Sequence, residues 1–369
     1  MSRNNYQTWA KEDLIQEIKR LKKRKKYGLV WEEEKTKERF EADAEGKLPV
    51  LVEDTKREII TDADKPVNIL IEGDNYHALS VLNYTHPKGI DVIYIDPPYN
   101  TGNKSWKYNN NYVEKDDAFR HSKWLSFTSK RLRLAKSLLS VRGIIVVAID
   151  DNEHHTLRLL MDELFGEDNR LGTIAVVHNP RGRNDDKYFA TMHEYLLVYA
   201  KNNAFAQVGY FELTDDDIEQ YNKNDDISTY NETSFMRTGN NSNRETRPNL
   251  FYPIYYNPKE NKLSLERDKE SIKLLPINES GEEKTWRWGK ETFEELCETE
   301  LLVRSVKGKY RIFKKRRMLN IRGKKPKTVW YDPRYDASTY GIMVLQNIFR
   351  KKTFFLTPNL FMLHKTSLS

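Results

Sequence analysis

A single cysteine, Cys297, stands in a chain of 369 residues. That scarcity excludes an intramolecular disulfide framework and any cysteine-rich zinc site, and it fits a reducing compartment. Cys297 itself reads as a small buried hydrophobe. No run of about 18 apolar residues occurs, and the opening MSRNNYQTWAKEDL lacks the apolar core of a signal peptide. We therefore expect a soluble, cytoplasmic protein that does not insert into a membrane. A Gly-x-x-x-x-Gly-Lys-Ser/Thr loop is also absent, which argues against an NTPase built on an acidic strand end. Neither an internal repeat nor a long low-complexity linker is present.

What the chain does have is charge. Mean hydropathy is −0.80 and 32% of residues are charged, yet 38% hydrophobic and 12% aromatic residues suffice for a core and for two lobes. The 62 Lys and Arg against 55 Asp and Glu give a net charge of +7. A basic balance favours a polyanionic partner, nucleic acid first.

Near the start, Leu14, Ile18 and Leu21 recur at helical spacing before Lys22, Lys23, Arg24, Lys25 and Lys26, either a solvated basic helix end or a DNA contact. VNILIEG reads as a short strand ended by glycine, NYHALSVL as a helical turn or two, and IDVIYI as a strand buried on both faces. SKWLSFTSKRLRLAKSLL places Leu125, Thr128, Leu132, Ala135 and Leu139 on one helical face. GIIVVAIDD is a second buried strand. HHTLRLLMDELFG carries Leu157, Leu160, Met161 and Leu164 on one stripe and stops at Gly166. TIAVVHN and HEYLLVYAK complete the strands. The alternation predicts an α/β layered domain with a largely parallel sheet. Beyond Lys201 it gives way to Asn-, Lys-, Glu- and aromatic-rich sequence with basic islands such as KKRRMLNIRGKKPK, which predicts a separate recognition lobe.

IDVIYI ends in Asp96, Pro97, Pro98 and Tyr99. Ligands of open α/β sheets bind beyond the carboxyl ends of strands. The prolines stiffen the turn and lack N–H donors, so Asp96 and the Pro97 carbonyl can both accept from one amino group. Tyr99 offers a flat face on which a base can stack. Methylation of an exocyclic amine needs that set; it is mainly a positioning problem and requires no metal. The other reading of the same residues is a proline-rich turn closing a core strand.

IDPPYNTGN is followed in order by WKYNN, GIIVVAIDDNEHHTLRLLMDELFGEDN, HNPRGRND and HEYLLVYAK. This series resembles the adenine-specific DNA methyltransferases of the β-type motif order, above all the modification subunits of type III restriction-modification systems. The resemblance runs from about Val67 to Phe355. It implies a Rossmann-like α/β fold that uses S-adenosylmethionine, circularly permuted, incomplete at the C-terminus and carrying an inserted target-recognition lobe. The corresponding segments are a basic helical extension (1–66), the catalytic domain (67–202), the recognition lobe (203–330) and the start of a returning cofactor-binding segment (331–369).

By the same resemblance, Asp96, Pro97, Pro98 and Tyr99 form the catalytic motif that takes a flipped base, and Asp rather than Ser in first place points to adenine. S-adenosylmethionine is the implied methyl donor, double-stranded DNA the substrate, and a restriction subunit and a second copy of the chain the implied partners. No metal is implied. Asn100 and Thr101 would line the same pocket, with Asp96 bordering the donor. Asp74 and Asn75 would lie near the donor, or Asp74 would cap the helix that follows. Asp150 and Asp151 would border the pocket or, the preferred reading, cap a helix starting near Asn152. His154 and His155 are adjacent and make a poor metal pair, and His193 reads as a structural hydrogen-bonder. Arg181 and Arg183 would clamp a phosphate or fill the gap left by the base, unless they are ordinary exposed arginines. Lys314, Lys315, Arg316, Arg317, Lys324, Lys325 and Lys327 would track phosphates, and the aromatic residues of the lobe would mostly be core.

The family's Phe-x-Gly-x-Gly loop, whose glycines let the backbone approach the donor, does not occur in this sequence. Where the family continues with a Phe-x-Tyr-Pro-Lys-Ser-like segment, this chain reads FFLTPNLFM, which codon degeneracy allows to be encoded by the same bases in another frame. We expect the tail from about Leu356 to be a frameshift product; incompatible codons would refute that. An isolated chain of this kind is expected to bind the donor weakly and to expose a sheet edge and apolar helix faces. The alternative reading is a non-catalytic DNA-recognition or assembly subunit whose donor-binding half comes from another polypeptide.

Overall fold

The computed structural model describes residues 9–23, 49–58, 67–101, 120–182 and 186–350. WKYNN, the basic run Arg24, Lys25 and Lys26, Arg183 and the tail from Leu356 lie outside them. The chain divides into two units, Met1–Gly209 with Lys327–Ser369, and Tyr210–Pro326.

In the first unit, α1 (Lys11–Lys23) begins with Glu12 and Asp13, acids that suit the positive end of a helix dipole. Its Ile18 is half exposed. Val67–Gly73 is not a strand, contrary to expectation: Val67, Ile69 and Leu70 are exposed. β propensity alone does not make a strand, and this run has no neighbour to pair with among the described residues. α2 (Asn75–Thr85) and β1 (Ile90–Ile95) follow. β1 pairs in parallel with β2 (Leu139–Ile149) on one side only. It is the edge of the described sheet and is buried only toward its end: Ile93 and Ile95 pack on one cluster and Tyr94 on the cluster of the opposite face, while Asp91 and Val92 are exposed. Gly143 is required where these strands meet, since a Cβ there would lie 2.9 Å from the Ile90 carbonyl oxygen.

α3 (Arg120–Leu138) buries Leu125, Thr128, Leu132 and Ala135, whereas Leu139 already opens β2. α4 (His154–Phe165) buries Leu157, Leu160, Met161 and Leu164. Alternation along β2 divides the packing: Ile145, Val147 and Ile149 join the core formed with α3 and α4, and Val146 and Ala148 face a smaller cluster with Ile174 and Leu196. β3 (Arg170–Val177) and β4 (His193–Ala200) complete this part, and β4 runs antiparallel to both β2 and β3. The sheet is thus largely parallel, as the alternation predicts: β1, β2 and β3 share one direction and β4 is reversed among them. A parallel return needs a crossover, usually a helix, and no helix lies between Val177 and His193 among the described residues.

The second unit contains α5 (Asp215–Glu219), β5 (Lys223–Asn224), β6 (Thr229–Ser234), β7 (Ile254–Asn257), β8 (Lys262–Ser264), β9 (Ile272–Leu274), α6 (Lys290–Glu300), β10 (Leu301–Val306) and β11 (Lys309–Arg317). Its two antiparallel sheets have the orders β10-β11-β6-β5 and β8-β7-β9. Aromatic residues fill its core, where Phe235 stacks on Trp286 with ring centroids 5.4 Å apart, and Cys297 is buried among them. The chain returns to the first unit with β12 (Val329–Trp330), parallel to β3, and α7 (Ile342–Phe349). Among the described residues no helix is long and apolar enough to cross a membrane.

Candidate active site

β1 delivers Asp96 to Asn100 to the carboxyl end of the first sheet. α3 anchors this turn from below: the indole Nε1 of Trp124, 1% exposed, donates to the Pro98 carbonyl at 2.6 Å. Nothing among the described residues donates to the Pro97 carbonyl. Tyr99 packs its ring on the core and donates its hydroxyl to Glu194 Oε2 on β4 at 3.0 Å. Burial, then the charges of Glu194 and Asp96, push the Tyr99 phenol far up, so it remains a donor. Burial also holds the Asp96 carboxyl above its ordinary range, and the nearby Tyr99 hydroxyl opposes that shift. The turn therefore presents a carboxyl, a free carbonyl and a tethered ring.

Asn100, 5% exposed, closes the turn in the left-handed region at φ 56°. Its Nδ2 donates to Glu153 Oε1 at 2.5 Å, and its Oδ1 is buried without a partner among the described residues. Glu153 is fully buried at the start of α4 and accepts also from His121 Nδ1 at 2.6 Å and from Thr156 Oγ1. Thr101, next in sequence, is exposed.

The helix starts near Asn152 as expected, at His154, but neither Asp150 nor Asp151 caps it. Its N-cap position is Glu153, whose side chain makes no capping bond, and Asp150 instead closes the preceding turn by accepting from the Asn152 backbone at 2.9 Å. The cause is Glu153 itself, whose carboxylate is committed to the Asn100 cluster. His154 stacks on Tyr195 at 4.2 Å between centroids, and burial lowers its pKa. His193 Nε2 lies 3.1 Å from the Tyr195 hydroxyl. No group of three or more His, Cys, Asp or Glu side chains among the described residues is placed to hold a metal.

Asp74 is the N-cap of α2, its Oδ1 accepting from the Tyr76 backbone at 2.8 Å. It also accepts from Arg131 Nη2 at 3.4 Å, and its side chain is 35% exposed, so one face remains for a ligand. Asn75 is exposed beside it. No described contact joins Asp74 to Asp96.

The predicted phosphate contacts fare differently from one another. Arg317, 3% exposed, is bound to Asp225 and Glu300 and donates to the Thr299 carbonyl, so it is a core ion pair with no surface for a phosphate. Lys315 bonds the same Asp225 at 2.7 Å, and Lys324 pairs with Asp217. Hydrogen bonds from Arg317 and Lys315 hold the Asp225 carboxyl far below its usual range. Alternation along β11 explains the split, because Arg317 and Lys315 share the face that carries these acids. Lys314 lies over the Trp288 ring at 4.7 Å, in an open cavity of about 630 Å³ that Arg316 and Arg322 also line. Arg316 and Lys325 are exposed and make no ion pair among the described residues. In the first unit, Arg181 is exposed on a turn before Gly182.

Sequence reasoning missed Trp124, Glu153 and Glu194. Glu194 carried a signal, an acid inside an otherwise apolar strand, since a buried charge requires a partner. Glu153 carries none, since in sequence it is one more acid after Asp150 and Asp151.

Residues 90–342 match the N6/N4 methyltransferase family model, described as DNA methylase. The chain is 33% identical over 318 residues to the Type III restriction-modification enzyme EcoPI Mod subunit of Escherichia phage P1, covering 78% of this chain and 49% of that protein. It is 39% identical over 238 residues to the Type II methyltransferase M.KpnI of Klebsiella pneumoniae, covering 64% of this chain and 56% of that protein. The chain thus spans about half the length of the curated relatives it matches. Among solved structures, the M1.HpyAVI–SAM complex aligns at 16% identity over 39% of this chain and 59% of that chain, with a TM-score of 0.26.

Proposed function

Because the chain belongs to the N6/N4 DNA methylase family, we propose that it transfers the methyl group of S-adenosylmethionine to the N6 amine of an adenine lifted out of double-stranded DNA. The observation that carries this reading is the tethered turn: Asp96 and the Pro97 carbonyl as two acceptors beside a Tyr99 ring fixed by Glu194. The amine donates its two hydrogens to Asp96 and the Pro97 carbonyl, which orients its lone pair out of the base plane, while the base stacks on Tyr99. S-adenosylmethionine supplies an electrophilic methyl on sulfur. As the new N–C bond forms the C–S bond breaks, and the amine's proton leaves afterwards by way of Asp96 to water, so no strong base is needed beforehand.

Residues suited to the donor are the partly exposed Asp74 carboxylate, Asn75 and the orphaned acceptor of Asn100. The second unit is assigned to target recognition, with Lys314, Arg316 and Lys325 as its phosphate contacts and Arg181 as a contact from the first unit. Relatives named as Mod subunits of Type III restriction-modification enzymes support a restriction subunit as a partner, and a place in the cytoplasm is proposed with it. Transfer of a labelled methyl group to DNA tests the reading. Asp96→Ala should abolish transfer and leave DNA affinity unchanged; DNA binding with no transfer by the intact chain would favour a non-catalytic recognition subunit instead.

A further inference from the structure

Glu153 has no role in the chemistry above, yet it is fully buried and three donors converge on it. A carboxylate in such a setting is an acceptor only. Asn100 must therefore turn its Nδ2 toward Glu153, and the planar amide then points Oδ1 the other way. The left-handed backbone at φ 56° holds the residue in that pose, which Asn tolerates better than most side chains. The outcome is a buried acceptor with no donor among the described residues. Leaving an acceptor buried and unmade costs about 1–3 kcal/mol, which a ligand that donates to it recovers on binding. Asn100 directly follows the Tyr99 ring, and the neighbouring Asp96 carboxyl and Pro97 carbonyl are acceptors too.

We propose that Glu153 is a positioning residue: by accepting from Asn100 Nδ2 it sets Asn100 Oδ1 as an acceptor for an N–H of the ligand, so that the site selects an amine. The inference rests on the proposed function, in which the turn receives a base beside a methyl donor. The N–H has two sources of the same chemistry: a hydrogen of the target adenine's exocyclic amine, shared in a three-centre bond with the acceptors of the turn, and the ammonium group of S-adenosylmethionine.

The test uses the full chain as wild type, Glu153→Gln and Glu153→Asp. A glutamine can donate, so it lets the Asn100 amide turn over; an aspartate remains an acceptor and should rescue. With S-adenosylhomocysteine saturating, binding of deoxyadenosine and deoxyinosine is compared by saturation-transfer NMR. Deoxyinosine carries an oxygen in place of the amine. We expect the preference for deoxyadenosine to fall about fivefold in Glu153→Gln and to persist in Glu153→Asp. Calorimetric titration with S-adenosylmethionine is the second arm: a fivefold loss there, with nucleoside preference intact, assigns the N–H to the ammonium. Both arms unchanged in a Glu153→Gln chain of unaltered melting temperature would overturn the proposal. The wild-type Asn100 side-chain amide, read by ¹⁵N NMR, should exchange slowly; free exchange would overturn it even if the variant fails to fold. Wild type binding neither nucleoside nor methyl donor, with that amide protected, would count against the proposed function and leave the Glu153–Asn100 orientation standing.

Discussion

Tyr99 separates two contributions that its side chain makes through different atoms. Tyr99→Phe deletes the hydroxyl that donates to Glu194 Oε2 at 3.0 Å and keeps the ring on the core. A hydrogen bond to a charged group contributes about 1.5–3 kcal/mol, and because Glu194 has further partners the lower end applies, about 1.5 kcal/mol. In a unit of this size that is a fall of about 3–6 °C in melting temperature. Stacking survives, so methyl transfer should stay within about threefold of wild type. Tyr99→Ala removes the ring as well, and base stacking is worth about 1–3 kcal/mol, so transfer should drop about 5- to 150-fold. Thermal denaturation and initial rates with labelled donor on DNA read the two effects. If Tyr99→Phe abolished transfer as fully as Tyr99→Ala, the ring could not be the working part; if it left stability unchanged, the bond to Glu194 could not be what holds the ring.

Asp96 sets a pH dependence. Burial raises its folded pKa above the ordinary 3.8, so its contribution to stability is fully present below that value and is lost as pH rises through the folded pKa. Asp96→Asn should therefore melt higher than wild type at pH 7, with the difference vanishing on acidification, as melting curves across pH will read. Arg317→Met breaks a buried pair and should destabilise the second unit by about 3 kcal/mol in denaturant titrations, whereas Arg316→Glu on the opposite face should weaken DNA binding and leave that stability unchanged. Gly323→Ala should cost about 2 kcal/mol or more in the same titrations, because φ is +121° and the new methyl would lie 2.5 Å from the Phe211 carbonyl oxygen.

Much of the first unit was legible because its signals are local. The stripe Leu157, Leu160, Met161 and Leu164 has one period, and Gly166 ends it at φ 94°. The position of Asp-Pro-Pro-Tyr at a strand end was readable for the same reason. Strand direction and edge status were not, since they depend on partners far along the chain: β4 reverses between β2 and β3, and Val67–Gly73 finds no neighbour among the described residues. Charge was the least legible property. KKRR looks like one basic patch in sequence, but alternation along β11 sends Arg317 inward to Asp225 and leaves Arg316 exposed. Glu153 and Glu194, which tether the turn, lie 53 and 95 residues from the side chains they hold, so no local pattern marks them.

In the proposed reaction Asp96 and the Pro97 carbonyl hold an adenine amine for methylation while the base stacks on Tyr99. The most direct measurement is mass spectrometry of nucleosides from DNA incubated with the chain and isotopically labelled S-adenosylmethionine. Labelled N6-methyldeoxyadenosine is expected from the wild type and none from Asp96→Ala. Label in N4-methyldeoxycytidine, or undiminished N6-methyldeoxyadenosine from Asp96→Ala, would contradict it.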